Sequence, residues 1–280
     1  MLRAHFAFLA LASLIAATAC ATTPATLTQL VEARRLASEL HVEFTKAAEA
    51  SNRAVMADTD EASASAADEA KRARETVESD LDMLRGALQA LGYREDQRAL
   101  DAFRARFDEY RKLDDEILPL AVENTNLKAQ RLSFGAAQEA AKSVASAVEG
   151  AVRGAKGGGG CCAEALAYRA RAALLEIQVL QAPHIAESDD GAMTKIENRM
   201  QELAHTARAA IDELKASDAA AALDRFLKIN DEIIMLSRRN SNVRSLALSL
   251  GRKRMITAEC EDDLRALEQA VAGHAFSATR

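Results

Sequence analysis

The chain has 280 residues, 28% of them charged and 4% aromatic, with three Pro, twelve Gly and no Trp. So few Pro and Gly exclude an all-β fold, which needs turn residues about every eight to twelve positions, and a 49% hydrophobic share excludes a disordered chain. The net charge of −6 excludes the basic footprint of a nucleic-acid binder.

Residues 1–19, MLRAHFAFLALASLIAATA, join Arg3 to an uncharged apolar run from Phe6 to Ala19 and read as a secretory signal peptide. The run is too short for a comfortable membrane span. Cys20 follows Ala17-Thr18-Ala19 in the manner of a bacterial lipoprotein box, which makes Cys20 the expected lipid attachment and residues 20–26 a tether. A soluble secreted protein that merely begins with Cys is the other reading. Helices are then expected at 27–57, 60–92, 96–123 and 126–153. The series Ala70, Ala73, Val77, Leu81, Leu84, Leu88 steps by three and four, as one face of a helix does. Thr59 precedes two acids, which suits a helix N-cap, and Gly92 marks a hairpin turn. Pro119 removes one backbone hydrogen bond inside the third helix and predicts a kink.

Residues 154–161 form a Gly-rich linker. Four more helices follow at 162–186, 189–215, 218–239 and 242–272, with Met193, Ile196, Met200, Leu203, Ala207 and Ala210 supplying a second seam. Residues 274–280 are a tail. The expected fold class is all-α: two tandem up-down-up-down four-helix bundles, residues 27–153 and 162–273.

The two halves share one plan. Phe107 to Gly135 aligns without a gap with Leu223 to Gly251, at an offset of 116. Asp115-Glu116-Ile117 meets Asp231-Glu232-Ile233, and Asn124-Thr125-Asn126 meets Asn240-Ser241-Asn242. A weaker match pairs Met56–Glu61 with Ile185–Asp190 at an offset of 129, so the first copy holds thirteen extra residues between these landmarks. Shared between two antiparallel helices, that is about six residues each, or roughly 9 Å.

The segments DEILPLAVENTNLKAQRLSFG and DEIIMLSRRNSNVRSLALSLG resemble the junction of the third and fourth helices in the four-helix-bundle ligand-binding domain of methyl-accepting chemotaxis receptors. The resemblance covers about thirty residues in each copy. It implies a sensory or ligand-binding fold outside the cytoplasm, with no catalytic residues to carry over. Members of that family are flanked by membrane-spanning helices and cytoplasmic signalling parts. The resemblance therefore implies a separate membrane signalling receptor as partner.

Asn124, Asn126, Asn240 and Asn242 stand where helices begin, and side-chain capping accounts for them. Lys128 and Arg244 are cations in a first turn, where the helix dipole disfavours them. A small anion held by the helix N-terminus and these cations, with Asn126 and Asn242, is the alternative. His184 and Glu187 share a helical face at a spacing that di-metal bundles use, but the first copy has Val55 and Asp58 there, so surface residues at a helix end are expected rather than a metal site. His41 and His205 stand alone. Cys162 and Cys260 come to similar heights if they belong to the first and last helices of one bundle, which admits a disulfide; Cys260 as a buried free thiol is the alternative. Nucleophile-elbow, P-loop, zinc-protease and dinucleotide motifs are absent from the sequence. The expectation is thus a non-enzymatic, cofactor-free envelope lipoprotein. It would touch the membrane through the lipid on Cys20 and bind a small molecule or a receptor. A structural spacer is the alternative, and a metal- or haem-binding bundle a weaker one.

Overall fold

The computed structural model describes residues 23–155 and 160–274; the expected signal peptide, Cys20, half of the linker and most of the tail lie outside them. Among the described residues there is no strand, and the all-α class holds. In the first repeat α1 spans Thr23–Met56, α2 Asp60–Leu91, α3 Arg94–Glu123 and α4 Thr125–Leu132, and a π-helical turn, Ser133–Ala137, leads into α5, Gln138–Gly154. In the second, α6 spans Gly160–Ala186, α7 Asp190–Glu213, α8 Ser217–Arg239 and α9 Ser241–Leu248, and a second π-helical turn, Ser249–Lys253, leads into α10, Arg254–Gly273. The π turns fall on the repeated Gly135 and Gly251, and Gly251 (φ −88°, ψ −113°) leaves helical geometry altogether. None of these helices is long and apolar enough to cross a membrane.

Helix ends follow local chemistry. α2 ends on Gly92 at φ 74°, with the Tyr93 N–H donating to the Leu88 carbonyl. This is the left-handed closure that glycine makes without steric cost. α7 closes in the same way on Lys215 at φ 53°, with the Ala216 N–H donating to the Ile211 carbonyl. The first hairpin is the longer: α2 has 32 residues against 24 in α7, and α3 has 30 against 23 in α8.

The chain folds into two units, and their make-up corrects the expected partition into 27–153 and 162–273. The first unit takes the described residues up to Ala57, Glu61–Leu118, and the chain from Leu248 onward. The second takes Asp58–Asp60 and Pro119–Ala247. So α10, from the second repeat, packs on α1 in the first unit, while α5, from the first repeat, packs on α6 and α8 in the second. Each unit draws its fourth helix from the other repeat. One division falls at Pro119, the residue at which a kink is expected inside α3.

The cores differ. In the first unit Phe44 makes edge contacts with Phe103, Phe107 and Tyr110, at centroid distances of 5.7, 6.2 and 5.2 Å. Such pairs add about 0.5–1.5 kcal/mol beyond area burial. The corresponding positions of the second unit hold Ala173, Ala219, Leu223 and Phe226, all buried, a smaller core with one aromatic ring in place of four.

Candidate functional site

The repeated Asn-Thr/Ser-Asn segments meet within the second unit. Asn124 and Asn240 are left-handed (φ 52° and 56°), a conformation Asn tolerates better than most residues. Each turns the chain between two helices. The helices that follow cap one another reciprocally. The Thr125 N–H donates to Ser241 Oγ (3.0 Å) and the Ser241 N–H to Thr125 Oγ1 (3.1 Å). The Asn126 N–H donates to Asn242 Oδ1 (3.1 Å) and the Asn242 N–H to Asn126 Oδ1 (3.2 Å). The amides cross as well: Asn126 Nδ2 reaches Asn240 Oδ1 (2.8 Å), and Asn242 Nδ2 reaches Asn124 Oδ1 (2.7 Å). Capping is therefore real but long-range, because the Asn124 side chain makes no bond to its own helix. The first-turn amides that an anion would need are already engaged. Lys128 Nζ donates to the Glu123 carbonyl (2.8 Å), and Arg244 is exposed, so the structure does not assemble the anion site that was the alternative to capping. Glu123 and Arg239, equivalent positions of the two copies, form an ion pair (2.7 Å).

The first unit buries an ion pair that sequence reading missed. Lys253 Nζ lies 2.6 Å from Asp114 Oδ1, with side-chain exposures of 2% and 0%. It also donates to Ser51 Oγ, which in turn donates to Asp114. The Tyr110 ring lies 5.1 Å from the ammonium. Burial pulls the Lys253 pKa below its ordinary value, with Asp114 opposing. In the second unit the counterparts of Asp114 and Lys253 are Asn230 and Ala137, and the network is neutral: Ser133 Oγ to Gln181 Oε1 (2.7 Å), and Gln181 Nε2 to Asn230 Oδ1 (2.9 Å). The signal was legible. Asp114 follows Phe103, Phe107 and Tyr110 on one apolar stripe, and Lys253 precedes Ile256 and Cys260 on another.

His184 is not the surface residue expected. It is fully buried, with Nδ1 2.6 Å from Ser237 Oγ and Nε2 2.8 Å from Glu197 Oε1. The Ser237 hydroxyl donates to the Ile233 carbonyl, which leaves its oxygen to accept from His184. Arg238 also holds Glu197 (2.6 Å) and, ahead of the His184 bond, keeps the Glu197 carboxyl below the usual carboxylate range. Glu187 instead closes the next turn, accepting from the Ser188 and Asp189 amides, so it forms no metal pair with His184. Among the described residues no group of three His, Cys, Asp or Glu side chains is arranged to hold a metal.

Cys161, Cys162 and Cys260 are all free thiols, so of the two readings the Cys162–Cys260 disulfide falls and the buried free Cys260 stands. The pairing assumed that both lay in one bundle, whereas Cys260 on α10 belongs to the first unit and Cys162 on α6 to the second. Burial pushes the Cys260 thiol up to about 12.

The hollows of the second unit include two grooves. Between α5 and α6 a 510 Å³ groove has an apolar wall of Ala141, Leu174 and Leu175, with the 78%-exposed Tyr168 beside it. Its cations, Lys142 and Arg171, are paired to Glu139 and Glu149. Between α7 and α8 a 680 Å³ groove runs over Met200, Ala204, Leu227 and Ile234 and is edged by Asn198, Gln201, Asn230 and Asp231. It reaches the buried network through Met200, whose sulfur lies 3.8 Å from Asn230 Nδ2. In the first unit a 490 Å³ hollow is mostly charged, with Arg35, Glu39, Glu43, Lys46 and Asp80 beside Ser38, Val42 and Thr76. Burial and then the two glutamates raise the Asp80 pKa there.

No protein-family model, curated protein or solved structure matches this chain.

Proposed function

We propose that this chain is a non-enzymatic, lipid-anchored protein of the cell envelope, and that its work is binding: the α7–α8 groove of the second unit takes a small molecule, and a membrane receptor reads the occupied state. The groove carries the reading. Its 680 Å³ falls within the range of small-molecule sites, about 300–1,000 Å³, with an apolar floor and a few convergent polar groups. The resemblance of the two Asn-containing junctions to the chemoreceptor sensor domain supports a sensory role outside the cytoplasm. The leader and Cys20 support export and lipid attachment.

The test is a melting screen of the purified chain against a library of polar metabolites, repeated on Ala204→Trp, which fills the groove. A ligand that binds the folded state raises the melting temperature in proportion to its excess over Kd. The expected result is a small set of compounds that stabilise the native chain and not the Trp variant. Stabilisation by none would favour the spacer reading. Lipid attachment is checked separately by incorporation of labelled palmitate, lost in Cys20→Ala.

A further inference from the structure

We propose that the α7–α8 groove is a receptor for an organic cation, an alkylguanidinium or alkylammonium group, held by the Asp231 carboxylate over the floor of Met200, Ala204 and Leu227. The inference rests on the reading of that groove as the ligand site and adds the chemistry of what enters it.

The first repeat supplies the template. There Arg74 of α2 lies across α3, its Nη1 donating to Asp115 Oδ1 (2.8 Å) and to the Arg111 carbonyl (3.3 Å). The second repeat keeps the acceptors and lacks the cation. α2 and α7 begin at Asp60 and Asp190 and bury the same positions, Ser63, Ala70, Ala73 and Val77 against Met193, Met200, Leu203 and Ala207. In that register Ala204 stands where Arg74 stands. α3 and α8 share the offset of 116 that also relates Thr125 to Ser241, so Leu227 stands for Arg111 and Asp231 for Asp115. Ala204, Leu227 and Asp231 all line the 680 Å³ groove.

One replacement therefore does two things. Trading a guanidinium side chain for a methyl group clears space between α7 and α8, and it strips the acid on the facing helix of its partner. Asp231 has no ion pair among the described residues, and partial burial raises its carboxyl pKa. Of the other ionisable side chains at the groove, Arg208 pairs with Asp224 and Glu197 with Arg238 and His184, while His205 also lines it. One uncompensated carboxylate beside an apolar floor selects a ligand with a positive head and a short hydrocarbon stem. An arginine side chain is such an object, and the first repeat shows it seated.

The probe is n-propylguanidinium, the arginine side chain from its β-carbon outward, titrated into the full chain and followed by amide NMR shifts. n-Butylammonium and pentanoate, of similar size, serve as the like-charged and opposite-charged comparisons. The expected result is a millimolar Kd for both cations, as suits ligands so small, with shifts centred on Ala204, Leu227 and Asp231 and none from pentanoate. Asp231→Asn should raise Kd at least tenfold without lowering the melting temperature by more than about 2 °C, since the acid is held in no ion pair whose loss would unfold the unit. Ala204→Arg should rebuild the ion pair of the first repeat, abolish binding and raise the melting temperature. Pentanoate binding as well as propylguanidinium, or unchanged binding in Asp231→Asn, would overturn the proposal. If cations fail but another compound binds and Ala204→Trp blocks it, the groove stands and its cation chemistry falls. If Ala204→Trp blocks nothing, the groove is not the site, and both readings fall together.

Discussion

Asp114→Asn tests whether the buried Lys253–Asp114 pair governs the first unit. The substitution keeps shape and removes the charge that compensates an ammonium only 2% exposed. Arg74 is not the main loser, because it sits 3.6 Å from Asp114 but 2.8 Å from Asp115, which remains. Breaking one side of a buried pair costs about 3–5 kcal/mol, most of it the uncompensated charge left behind. Replacing both partners is often neutral. The second repeat has made that double replacement, with Asn230 and Ala137. Lys253→Met added to Asp114→Asn should therefore recover most of the loss. With a urea m-value of about 2 kcal/mol per molar, the single change lowers the midpoint by about 1.5–2.5 M, and the double change returns it to within about 0.5 M. Urea titration followed by tyrosine emission reads this, in a Tyr168→Phe background that leaves Tyr93 and Tyr110, both of the first unit, as the described reporters. A loss below about 1 kcal/mol in the single variant refutes the argument. So does a double variant whose loss equals the sum of the two singles, since coupled neighbours should not add.

Further outcomes follow from the other clusters. Asn126→Ala removes an acceptor for the Asn242 amide and the donor to the Ile185 and Asn240 oxygens, so calorimetry should show the second unit destabilised by about 2–4 kcal/mol. Lys215→Gly relieves a left-handed residue at a helix end and should stabilise the same unit by about 0.5–1 kcal/mol in denaturant titrations. Glu197 has a folded pKa below its unfolded value. Its contribution is therefore full above the unfolded carboxyl range, near 4.3, and is lost as pH falls through the lower folded value. Acid unfolding of Glu197→Gln should lack that component, and an unchanged acid limb would count against it. Thiol labelling of the native chain should modify the exposed Cys161 and Cys162 quickly and the buried Cys260 only on unfolding.

Periodicity, turn residues and the internal repeat determined the helices nearly to their ends, because a helix is fixed by neighbours three and four residues away. The same local signals could not say where the fourth helix of each repeat goes. Both follow an Asn-Thr/Ser-Asn turn, both carry a Gly at one π turn, and either apolar stripe would cover either three-helix trough. Side chains far apart in sequence decide it. The second π turn and α10 bring Lys253, Asp263 and Glu268 to Asp114, Arg106 and His41 of the first repeat. Against the second repeat Lys253 would meet Asn230, an amide that cannot neutralise a buried ammonium. The helix after Asn124, with Ser133 and Ala137, meets Gln181 and Asn230 instead. The Cys162–Cys260 pairing fails because it needs sequential bundles, whereas His184, read as a surface residue at a helix end, is buried by Ser237 and Glu197 of its own repeat. The sequence by itself determined eight helical segments used as two copies of one plan. Only the tertiary structure decided which copy completes which unit, because that choice lies in long-range charge pairing that no local pattern encodes.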